Sequence, residues 1–113
     1  MSNDIRIRKK PGNWVVRAGG AVLGESANVL ELSEGTLPEA LYFRREDLAM
    51  AMLEPSDTVT TCPKKGTASY FSIHTKSTVI KDAGWSYEAP LDAVEDIGGY
   101  VAFYPDKVTI EEL

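Results

Sequence analysis

The stretch Thr67 to His74, TASYFSIH, puts Ala68, Tyr70, Ser72 and His74 on one side of an extended chain and Ser69, Phe71 and Ile73 on the other. A period of two describes a β-strand. The run Thr58 to Cys62 before it is strand-like too, so Pro63-Lys64-Lys65-Gly66 between them has to reverse the chain. A long hairpin near the middle of a chain of 113 residues leaves little room for a helical architecture.

The flanking segments point the same way. Val15 to Leu23, VVRAGGAVL, holds Gly19-Gly20 between two β-prone runs, the pattern of a hairpin whose turn needs positive φ. Val29–Leu32 and Ala40–Phe43 read as strands, as do Val79–Lys81, Trp85–Glu88, Tyr100–Tyr104 and Val108–Ile110. One segment stands apart. In RREDLAMAMLEP, Leu48 with Met52 and Ala49 with Leu53 recur at helical spacing, Glu46 and Asp47 fall in the first turn, and Pro55 follows. The expectation is one α-helix near residues 45–54, a short helical turn near 91–97, and otherwise a mainly β, antiparallel single domain over residues 1–113.

Nothing in the composition supplies a covalent or metal staple. Cys62 is the only cysteine and His74 the only histidine, so a disulfide framework and a structural zinc within one chain are excluded. The N-terminal residues, MSNDIRIRKKPGNW, lack the apolar run of a signal peptide, and no later run reaches membrane-spanning length. A cytoplasmic protein without membrane attachment is expected. Twelve Lys and Arg against seventeen Asp and Glu give a net charge of −5, which disfavours nucleic acid as a partner. Arg6, Arg8, Lys9 and Lys10 form a local basic cluster that reads as a solvated edge.

Five groups of residues are equipped for chemistry. Cys62 acts as a nucleophile only as thiolate, and Lys64, Lys65 and His74 are the groups near it in sequence that favour that form. The Cys/His pairing is weak, because no acid stands where it would orient His74. The turn Pro63–Thr67 offers backbone N–H groups, a lysine and a hydroxyl to an anion, although it lacks the order of a nucleotide phosphate loop. Arg44, Arg45 and Asp47 form either a wall of an anion pocket or a pair closed on itself. Trp85 and Tyr87 share a strand face, and with Tyr70, Tyr100 and Tyr104 they line either a ligand cavity or a core.

These residues also carry a family resemblance. Tyr42-Phe43-Arg44-x-Glu46-Asp47-Leu48, Thr60-x-Cys62-Pro63-x-Lys65-Gly66-Thr67-Ala68-Ser69-Tyr70, Trp85-x-Tyr87-x-x-Pro90 and Gly99 to Tyr104 resemble, in order and spacing, the family DUF427, a domain of unknown function. The resemblance implies a compact β fold of the Mss4-like, or β-tent, kind. Other members of that superfamily often hold zinc between cysteine pairs, which are missing here. Lys64 stands where the family usually has an aromatic residue, and Arg44-Arg45 replaces a proline-arginine pattern. The family's nucleotidyltransferase-like nickname gains no support, since the chain has neither the Gly-Ser grip nor the Asp-x-Asp or Asp-x-Glu pair that holds two metal ions.

The functional expectation is a small-molecule or anion-binding cleft. Cys62 and Lys65 are its candidate catalytic groups, and Arg44, Asp47, Thr60, Tyr70, Trp85 and Tyr87 its candidate ligand contacts. A small anionic or planar molecule is the expected partner, with no cofactor identified. The alternative is a β module that binds a protein or a second copy of itself through a strand edge.

Overall fold

The computed structural model describes residues 4–113. Ten strands make two antiparallel sheets: β1 Ile5–Lys9, β2 Trp14–Ala18, β3 Ala21–Ser26, β4 Leu30–Glu34, β5 Ala40–Phe43, β6 Leu53–Cys62, β7 Gly66–His74, β8 Val79–Tyr87, β9 Val101–Phe103 and β10 Thr109–Glu112. The larger sheet runs β1-β4-β5-β9-β8-β7-β6 and the smaller β10-β2-β3. The anticipated hairpins form. Gly19 and Gly20, at φ 55° and 84°, close β2 onto β3, and the turn after Cys62 closes β6 onto β7 with Cys62 opposite Gly66.

The α-helix expected near residues 45–54 does not form. Arg45–Asp47 and Met50–Met52 are single 3-10 turns, and Leu53 already begins β6. The backbone has a better partner elsewhere: the Ala49 N–H donates to the Leu23 carbonyl at 2.7 Å, and Leu48 forms a bridge with Gly24. Gly24 makes this approach feasible, since a Cβ there would run into the Asp47 carbonyl and the Leu48 side chain. Pro55 therefore lies inside β6, an edge strand, where its missing N–H is tolerated. The turn expected near 91–97 is present as a 3-10 segment, Asp92–Ile97.

The pieces anticipated at Val79–Lys81 and Trp85–Glu88 are one strand, β8, joined through a register shift against β7. Asp82 sits in it at φ 50° and secures the bend. Its carboxylate accepts the hydroxyls of Ser56 and Thr58, both at 2.6 Å, and its N–H donates to Ser72.

Two apolar clusters occupy the two faces of the large sheet. Phe43, Phe71, Val101 and Phe103 pack with Val16, Ala18 and Leu23 of the small sheet. On the opposite face Tyr42, Tyr70 and Tyr87 cluster with Val94 and Ile97 of the 3-10 segment, with Trp85 and Tyr104 against them. Small residues make room on each face. Gly84 pairs with both Phe71 and Phe103, and Ala102 pairs with both Tyr42 and Trp85, whose rings meet edge-on at 6.3 Å.

The basic cluster of the first strand also has a partner. Glu31 is only 5% exposed, and its carboxylate binds Arg8 at 3.1 Å and Lys10 at 3.0 Å. No described helix is long and apolar enough to cross a membrane.

Candidate functional site

The tyrosine-bearing face of the large sheet opens into a cavity of about 550 Å³. Its wall is laid out by register: Tyr42, Ala102, Trp85 and Tyr70 follow one another across β5, β9, β8 and β7. The period of two then places Tyr87 on the same face as Trp85. Tyr104, just beyond β9, lies 4.6 Å from the Trp85 ring centre and 6.4 Å from that of Tyr70.

Lys65 enters from the β6–β7 turn. The turn is closed by the Lys65 N–H on the Cys62 carbonyl at 3.2 Å, and it ends at Gly66 with φ 113°. The Lys65 ammonium is 2.8 Å from a Glu34 oxygen and 3.6 Å from the Cys62 sulfur. Glu34 comes from the end of β4 and also faces Lys64 at 3.8 Å.

The electrostatics of this group are reciprocal. The Lys65 hydrogen bond holds the Glu34 carboxyl below its usual range against the opposing effect of burial. Burial would push the Lys65 ammonium down, but Glu34 and Cys62 outweigh it and the net shift is upward. Burial would likewise push the Cys62 thiol up; the backbone N–H groups of Lys64 and Lys65, with the Lys65 charge, outweigh it and bring it down.

The phenols are shifted the other way. Tyr104 is pushed up to about 12 by its hydrogen bond with Tyr70 and by burial. Burial also raises Tyr42 and Tyr87, the second against the pull of Lys65. All three stay protonated at neutral pH and act as hydroxyl groups.

The structure sorts the anticipated residues. Lys65, Tyr70, Trp85 and Tyr87 line the cavity. Cys62 touches Lys65 from beside it and is not part of the wall. Thr60 lies behind the wall, 3.0 Å from the Tyr70 hydroxyl, which is in turn 3.2 Å from that of Tyr104.

Arg44 and Asp47 are elsewhere, closed on each other through two hydrogen bonds of 2.9 and 3.1 Å. Asp47 also accepts the Ser26 hydroxyl at 2.6 Å. Arg45 reaches the Gly99 carbonyl, Ser86 and Glu88, and so ties two parts of the chain together. His74 is at the far end of β7, about 27 Å from Gly66 at roughly 3.4 Å per residue, and pairs with Glu54.

Glu34, Glu39 and Tyr42 are among the cavity residues that sequence reasoning did not single out as site residues. No local signal ties Glu34 to Lys65, because the contact depends on which strands are neighbours. Tyr42 had a signal in its dipeptide with Phe43, a pairing repeated at Tyr70-Phe71 and Phe103-Tyr104. Among the described residues, no group of three or more His, Cys, Asp or Glu side chains is placed to hold a metal ion.

A family model described as a domain of unknown function, DUF427, matches residues 6–112. No curated protein matches the chain.

Proposed function

Because the chain belongs to the DUF427 family, whose description names no activity, we propose from the cleft itself that this protein binds a small planar molecule. Tyr70, Trp85 and Tyr87 grip the ligand's faces and edges while Lys65 directs a polar group of the ligand toward the floor. The observation that carries this reading is convergence. The Cys-Pro-x-Lys-Gly and Trp-x-Tyr motifs, well separated in sequence, present Lys65, Trp85 and Tyr87 to one cavity of about 550 Å³.

Cys62 adds a nucleophile's chemistry at the margin, with its thiol lowered and a lysine at 3.6 Å. Thr60 supports Tyr70 from behind, and the Arg44–Asp47 pair braces the 3-10 turn beside β3.

Thermal denaturation with a panel of nucleobases, aromatic acids, aromatic amides and planar cofactors tests the reading. A ligand at one hundred times its dissociation constant adds about 2.7 kcal/mol of stability, and the gain should vanish in Trp85→Ala. No gain with any panel member, or a gain that survives Trp85→Ala undiminished, overturns it.

A second reading, self-association, rests on β6. This ten-residue strand lies at the sheet edge and leaves Val59 59% exposed. Sedimentation of a concentrated sample as a monomer removes it.

A further inference from the structure

We infer that the cleft is selective for a flat ligand bearing an uncharged carbonyl oxygen, held by hydrogen bonds from Tyr87, Tyr42 and Lys65. This deepens the ligand-binding reading above and rests on it.

The phenols of the wall fall into two kinds. Tyr70 and Tyr104 spend their hydroxyls on each other and on Thr60. Tyr87 does not: only 7% of the residue is exposed, yet its hydroxyl has no hydrogen-bond partner among the described residues. No side-chain nitrogen or oxygen there is fully buried without a partner, so the Tyr87 hydroxyl opens into the cavity its ring lines. Tyr42, 1% exposed, is half-used. Its oxygen accepts the Trp85 indole N–H at 3.1 Å, which leaves its own O–H without an acceptor among the described residues.

Lys65 completes the set. An ammonium has three N–H groups; one points to Glu34 and one to the Cys62 sulfur, and the third has no acceptor. Three donors therefore lack acceptors around one cavity, and what they lack is an oxygen.

The charges decide what kind of oxygen. Glu34 already neutralises Lys65 at 2.8 Å, and Glu39 adds a second carboxylate to the wall. A phosphate or carboxylate entering would meet two carboxylates, and both lysines of the turn are already directed to Glu34, Lys65 at 2.8 Å and Lys64 at 3.8 Å. A cation would meet the Lys65 ammonium on the cavity wall, with Lys64 beside it at Glu34. An uncharged carbonyl on an aromatic ring avoids both conflicts, and its ring lies along Trp85 and Tyr104.

Four single-ring probes separate these cases: benzamide, benzoate, benzylammonium and phenyl phosphate, each titrated while the indole N–H of Trp85 is followed by NMR. Benzamide is expected to bind tightest of the four. Tyr87→Phe, which deletes one hydroxyl, should weaken it about ten-fold, or about 1.4 kcal/mol, while Tyr100→Phe, at a tyrosine that does not line the cavity, leaves it within about two-fold.

If a charged probe binds tightest, or if benzamide binds Tyr87→Phe as well as it binds the native protein, the carbonyl assignment falls and the cleft stands. If no probe moves any resonance of the cavity wall, the assignment and the binding site fall together. An unchanged melting temperature in Tyr87→Phe shows that a lost affinity is not lost folding.

Discussion

The two faces of the large sheet are both paved with aromatic rings, but the rings differ in one atom and in what covers them. All three phenylalanines, Phe43, Phe71 and Phe103, belong to the cluster packed against the small sheet, and Phe103 alone of the three also reaches the cavity. Tyr42, Tyr70, Tyr87 and Tyr104 lie on the face that holds the cavity. Three of these tyrosines are sequence neighbours of the three phenylalanines, and a strand sends neighbours to opposite sides. The same strands thus build a dry core and a polar-tipped cleft by alternating Phe with Tyr. A phenol on the sealed side would need a buried partner for its O–H, whereas on the open side that O–H remains available.

The sharpest way to break this contrast is to empty the sealed face. Phe43→Ala should destabilise the protein by about 3–5 kcal/mol in chemical denaturation, because the fully buried ring leaves a cavity under the small sheet.

A smaller effect separates the ion pairs at the two faces. The Glu31, Glu34 and Asp47 carboxyls all lie below their ordinary values in the folded chain, held chiefly by hydrogen bonds from Lys10, Lys65 and Arg44 respectively. The unfolded chain takes up protons first as pH falls. Their stabilisation is therefore fully present above the unfolded values of about 4 and is lost as pH drops through the lowered folded values. Denaturant midpoints should be flat from pH 7 to about 5 and fall below that. Glu31→Gln, which weakens a nearly buried pair, should flatten that fall and lower the pH 7 stability by about 1 kcal/mol; an unchanged acid limb would show that Glu31 is not one of its sources.

The smallest effect belongs to the open face. Tyr87→Phe should change stability by less than about 0.5 kcal/mol, since the hydroxyl bonds to nothing in the described protein. A loss above 1 kcal/mol would mean that this phenol serves the fold after all.

The parts legible in the sequence are those fixed within a few residues. The Gly19-Gly20 turn and the alternation of 67–74 were readable because turn chemistry and strand period are local. Residues 45–54 misled for the converse reason. Leu48, Ala49, Met52 and Leu53 have helical spacing, yet the backbone of Ala49 is claimed by Leu23 and that of Leu48 by Gly24, partners that local propensity cannot see. The site divides in the same manner. Lys65, Tyr70, Trp85 and Tyr87 were visible as clustered motifs. Glu34, which sets the charge of the cleft, was hidden by its distance along the chain, and the choice for Arg44 and Asp47 between a pocket wall and a closed pair needed their geometry.

The order of strands in the large sheet also bears on how the cleft comes into being. β6, β7 and β8 form a meander joined by short turns, whereas β5 meets β9 only after more than half the chain is brought together. Loop closure makes the meander the early event and the β5–β9 seam the late one. Tyr70, Trp85 and Tyr87 are then in place before Tyr42 arrives, and the cavity wall is complete only at the last step. Stopped-flow kinetics would test this order: Ile73→Val on β7 should slow folding, and Val101→Ala on β9 should mainly speed unfolding. Equal slowing of folding by both would reject it. On this ordering the cleft reports completion of the fold, so a bound ligand would act chiefly by delaying the opening of its final seam.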